Sequence, residues 1–117
     1  MSKKFDRELL ADVAERLISH LQTRTDVQNI DLMNLSGFCR NCLSKWYLAA
    51  AEKRNLPLDY DKSRELIYGM PYDEWKNKHQ KEATKEQLKD YYDIGRKNGK
   101  TPVEASEDIE IIRFLEM

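Results

Sequence analysis

Ser36-Gly37-Phe38-Cys39-Arg40-Asn41-Cys42-Leu43-Ser44-Lys45-Trp46-Tyr47 is the stretch on which the reading of this 117-residue chain turns. It carries the only two cysteines. Read as a helix that opens at Gly37 behind a Ser36 cap, with Cys39 third in the helix, it gathers Cys39, Cys42, Leu43, Trp46, Ala49 and Ala50 on one face. Arg40, Asn41, Ser44, Lys45, Glu52 and Lys53 fall largely elsewhere. An apolar helical stripe in the middle of the chain points to an all-α fold. The same stripe leaves open whether the sulfur pair is chemistry or filling.

The periodicity outside this stretch is helical too. From Asp6 to Thr23, Leu10, Val13, Leu17 and Leu21 form one stripe, widened by Leu9, Ala14 and Ile18, with charges opposite. Asp26-Val27-Gln28-Asn29 reads as a polar turn, because Asn and Asp offer the backbone competing local hydrogen bonds. Ile30 to Asn55 is helical, with a break near Ser36-Gly37, and Leu56-Pro57-Leu58 ends it. Asp61 is placed to cap a short helix carrying Leu66 and Ile67 and closed by Gly69. Pro71 suits the first turn of the next helix, where Tyr72, Trp75 and His79 share a side. Thr84-Lys85-Glu86-Gln87 matches a capping box, opening a helix with Leu88, Tyr91, Tyr92 and Gly95 that Asn98-Gly99 stops.

The expectation is a compact all-α domain of about five short helices over residues 1–100. Residues 101–117 form a tail whose Ile109–Leu115 run suits helix or strand. The expected core is Leu10, Val13, Leu17, Leu21, Phe38, Cys42, Leu43, Trp46, Leu66, Ile67 and Trp75. So few core residues leave apolar and aromatic surface for a two-fold interface, so an intertwined homodimer is expected.

Charge and composition narrow the function classes. Basic and acidic side chains number 20 against 21, a net charge of -1, so no global field draws the chain to nucleic acid or anionic membrane. Arg40, Lys45, Lys76 and Lys78 near Trp46, Tyr47, Tyr72 and Trp75 would suit base stacking. Acidic Glu52, Asp73 and Glu74 among them blunt that patch, and the aromatics read better as core or interface anchors. No apolar leader follows Lys3 and Lys4, and no uncharged run could span a bilayer. Two cysteines three apart without an export signal point to the reducing cytoplasm.

Three runs together resemble a family of short bacterial proteins catalogued as a domain of unknown function, family 1244. They are Arg24-Thr25-Asp26-Val27-Gln28-Asn29-Ile30-Asp31-Leu32-Met33-Asn34-Leu35, then Gly37 to Tyr47, then Tyr68-Gly69-Met70-Pro71-Tyr72-Asp73-Glu74-Trp75-Lys76. The likeness covers roughly Leu17 to Gln87 and fades after about Tyr92. It implies a compact multi-helical bacterial protein, a homodimer, with no known reaction.

Each candidate site has a bland counterpart. Cys39 and Cys42 with His20 and His79 would make four zinc ligands, and zinc is the one cofactor considered, with none expected. A thiol near a helix start next to Arg40 would have its pKa lowered and could respond to oxidants, though no strand precedes Gly37 as a thioredoxin-type motif requires. Against both stands simple burial beside Leu43 and Trp46. Asp31 and Asn34 share a helical face and could hold a ligand or hard cation; the plainer reading has them capping neighbouring helix ends. Arg40, Asn41, Tyr72 and Trp75 complete the candidates for ligand or partner contact. The reading is a non-enzymatic interaction or regulatory module, with metal-binding or redox-responsive action through the cysteine pair as the alternative.

Overall fold

Asp6 accepts hydrogen bonds from the amides of Glu8 and Leu9 at 2.9 and 3.2 Å, and the apolar periodicity behind this cap becomes the first helix. In the computed structural model, which describes residues 6–98, the elements are α1 (Arg7–Thr23), α2 (Asn29–Ser36), α3 (Arg40–Lys53), α4 (Tyr60–Tyr68), α5 (Tyr72–His79) and α6 (Lys85–Asn98). No strand occurs among the described residues. The tail from 101 and the stop at Gly99 lie outside them.

The described residues form six helices, in keeping with the about five expected, and the break expected near Ser36-Gly37 is what separates α2 from α3. Gly37 takes φ 82° and returns its N–H to Met33 O, closing α2 in the left-handed geometry that glycine adopts without a Cβ clash. The chain then runs extended through Cys39, and α3 starts at Arg40. Cys39 is therefore the N-cap residue, not the third helical position. Ser36 does not cap α3, because its hydroxyl donates back to Leu32 O at 2.8 Å. Likewise Asp59, not Asp61, caps α4, accepting from the Lys62 amide at 2.7 Å. The capping box before α6 is as expected: Thr84 N–H donates to Gln87 Oε1 and Gln87 N–H to Thr84 Oγ1.

Met33, Cys39 and Cys42 form a buried apolar cluster with Leu32, Phe38, Trp46 and Tyr91 packed around them. Leu21, Ile67, Tyr68 and Trp75 are buried as well, with the Tyr68 and Trp75 rings edge to face at 5.0 Å. α3 and α4 meet closely because the residues between them are small. Ser63 Oγ donates to Ser44 O at 2.6 Å, and both serines are fully buried.

The expected core needs four corrections. Leu10, Val13, Leu17 and Leu66 are exposed, not buried. Every residue from Asp6 to Leu17 is exposed, and α1 reaches the body only further on, with Leu21 buried and Gln22 donating to the carbonyls of Leu66 and Ile67. The stripe is amphipathic as read, but the described residues leave it exposed.

Candidate functional site

The cysteines face inward. Cys39 and Cys42 are both buried as free thiols, their sulfurs 3.8 Å apart, with Cys42 Sγ 3.9 Å from Met33 Sδ. Contact with the Cys42 sulfur, then burial, holds the Cys39 thiol well above its ordinary range. The lowered pKa expected from a helix start beside Arg40 is thus reversed. A neutral, covered thiol is a poor nucleophile and a poor metal ligand.

Arg40 is the larger surprise. Expected off the apolar face of its helix, as a candidate for ligand or partner contact, it is 1% exposed. Nη1 donates to Val27 O at 2.8 Å and Asn29 Oδ1 at 3.0 Å; Nη2 donates to Arg24 O at 2.8 Å and Leu21 O at 3.4 Å. Its guanidinium lies 5.0 Å from the Trp75 ring centre. These acceptors belong to the C-terminal end of α1 and the turn into α2. A cation there meets the negative end of the α1 dipole, and it adds a second donor to the Leu21 and Arg24 carbonyls, which also accept from the Arg24 and Val27 amides. Burial draws the guanidinium pKa below its usual value, yet an arginine stays charged.

The polar run from Gln28 to Asn34 stitches helices together. Gln28 spans two segments, its Nε2 donating to His79 O and its Oε1 accepting from Lys81 N–H. Asn29 Nδ2 donates to Tyr68 Oη at 3.0 Å, and that hydroxyl donates on to Asn41 Oδ1 at 2.7 Å. Asp31 accepts from its own cap residue's amide and from Gln87 Nε2; Asn34 Nδ2 donates to Gln87 O. Asp31, Asn34, Arg40 and Asn41 are thereby engaged by the protein itself.

The remaining candidates lie apart. His20 is exposed in the last turn of α1, while His79 packs against Trp75 with ring centres 5.7 Å apart. Among the described residues no group of three or more His, Cys, Asp or Glu is placed to hold a metal ion, so the four-ligand zinc set is not assembled. Trp75 is buried, so it belongs to the core and offers no surface. Tyr72 borders a shallow cleft of about 350 Å³ between α4 and α5, rimmed by Asp59, Asp61, Glu65 and Asp73. There Arg64 lies between the Tyr60 and Tyr72 rings and pairs with Asp61 at 2.6 Å.

Sequence reasoning missed Tyr68, Gln28 and Gln87 as connectors. One signal was available for Arg40: it shares a face with Ser44 and Ala51, small residues that let another helix approach closely.

What emerges is an all-α domain whose polar residues lock its own helices, with the apolar face of α1 turned outward from the described residues. The family model described as "Protein of unknown function (DUF1244)" matches residues 27–93, and the chain belongs to that family. The match takes in the stitching residues from Gln28 to Gln87 and begins after α1. Compared with the curated proteins, the chain matches none. No helix among the described residues is long and apolar enough to cross a membrane.

Proposed function

We propose that this chain is a non-enzymatic interaction module of the cytoplasm that works as a homodimer through α1. The observation that carries the reading is the exposed apolar face of that helix. Leu9 and Val13 are 67% and 64% exposed, and Leu10 and Leu17 are each 42% exposed. A helix of this length standing clear of its domain is marginal in water, since most helical stability comes from packing an apolar face. Covering side chains of this size contributes about 1.5–3 kcal/mol each, as an upper bound. Light scattering at micromolar concentration should give the mass of a dimer. Val13→Asp should give a monomer with its helical circular dichroism retained. A monomeric wild-type chain contradicts the proposal.

A second reading keeps the thiol pair as the working part, favoured by the 3.8 Å between the sulfurs. It needs an external two-electron oxidant to reach thiols that the fold covers. Thiol titration with a disulfide reagent separates the two. Interaction through the surface predicts no reaction until denaturant is added, and fast native labelling of both cysteines favours redox action.

A further inference from the structure

We infer that α1 pairs antiparallel with α1 of a second copy, across a two-fold axis lying between Val13 and Ala14. This rests on the homodimer reading and adds its geometry. The run Leu9-Leu10-Ala11-Asp12-Val13-Ala14-Glu15-Arg16-Leu17-Ile18 is close to a palindrome in chemical type. Read from either end it gives two large apolar residues, a spacer, an acid, then a smaller apolar residue. A two-fold axis at its centre sets Leu9 against the partner's Ile18, Leu10 against the partner's Leu17, and Val13 against the partner's Ala14. Every apolar residue of the run above alanine size then meets an apolar residue, as a self-complementary interface requires. Val13 and Ala14 at the crossing are small enough to let the backbones approach.

The acids do not oppose the pairing. At roughly 100° per residue, Asp12 and Glu15 point about 150° away from the centre of the stripe and stay in water. Electrostatics favours antiparallel over parallel. The start of α1, with Asp6, Arg7 and Glu8, comes beside the end that carries His20, where Arg24 already pairs with Asp26, so side-chain charge is nearly balanced there and the two opposed helix dipoles favour the antiparallel pair. A parallel pair would set Asp6 against Asp6 and align the dipoles.

Full-length Leu10→Cys and Leu17→Cys chains, alone and mixed, test this under mild oxidation. The expected result is covalent dimer in the mixture and its loss in either chain alone; the wild-type chain, with both native thiols, controls for their contribution. Self-cross-linking of Leu10→Cys to the extent of the mixture rejects the antiparallel geometry but leaves the dimer standing. So does a dimeric chain that fails to cross-link in the mixture. A wild-type chain monomeric by light scattering overturns both, as happens if another segment of the same chain covers α1.

Discussion

Arg40 shows how much a single side chain can determine in a small domain. Its guanidinium gives hydrogen bonds to three main-chain carbonyls and to Asn29 Oδ1, all around the α1–α2 turn. Arg40→Met removes the donors to Val27 O and Asn29 Oδ1, while Leu21 O and Arg24 O keep the Arg24 and Val27 amides. A buried polar group that loses its partner costs about 1–3 kcal/mol, so the loss should be on the order of 2–4 kcal/mol. Urea unfolding at neutral pH measures it, and a change below about 1 kcal/mol, the size of an ordinary surface substitution, would contradict the role. The two left-handed glycines make a matched pair. Gly37 has open space where a Cβ would go, whereas a Cβ at Gly69 would meet the Gln22 side chain at 3.0–3.2 Å. Gly37→Ala should cost the backbone strain alone, about 1–2 kcal/mol. Gly69→Ala should cost more, because it also displaces Gln22 from the carbonyls that tie α1 down. Equal losses would refute that difference. Titration gives a third test. The folded state holds the Cys39 thiol above its ordinary 9.0, through Cys42 and burial, and burial holds the Tyr60 and Tyr68 hydroxyls above 10.0. Groups raised in the folded state stabilise it fully at lower pH. That stability falls once the unfolded thiol begins to ionise, by about 1.4 kcal/mol per pH unit for each such group. Unfolding free energy should therefore decline from pH 8 to 10.5, less steeply in Cys39→Ala; a flat profile would contradict the burial.

At the scale of the element, periodicity in the sequence was enough to locate the helices, and caps decided where they begin. The Asp6–Thr23 stripe and the Thr84–Gln87 box are local signals, and the structure realises both. The start of α3 was misplaced because Ser36 has two local uses. It can cap forward or bond its own helix's carbonyl, and the left-handed turn at Gly37 selects the second. Which face of a helix is covered is not local information. Leu10, Val13 and Leu17 have the spacing of a core stripe, yet the described residues leave them exposed, while Arg40 and Ser44 carry polar groups and are buried. The site was legible in residue type alone: Asp31, Asn34, Arg40 and Asn41 were singled out, but the partners that engage them lie up to 56 residues away. The exposed helix also makes its own prediction. Asp6 caps α1, and an N-cap change to Ala costs about 1 kcal/mol of helix stability. If the dimer depends on a formed α1, Asp6→Ala removes the cap from both copies, about 2 kcal/mol per dimer, and should weaken dimerisation by up to about 25-fold, at about 1.4 kcal/mol per tenfold. Sedimentation across a dilution series reads this, and an unchanged dissociation constant would separate the helix from the interface.

For the whole molecule, the division between inside and outside carries the account. Residues 27–93, the part that matches the family, hold the polar stitching and both thiols, and these are turned inward. α1 precedes that part and turns its apolar face outward. A domain arranged this way has its reactive groups in its packing and its adhesive surface on one helix. Amide hydrogen exchange of the full chain over a range of protein concentration tests this most directly. The Leu9–Ile18 amides should be protected, and their protection should grow with concentration as copies pair. Protection independent of concentration, or free exchange at every concentration, would contradict it.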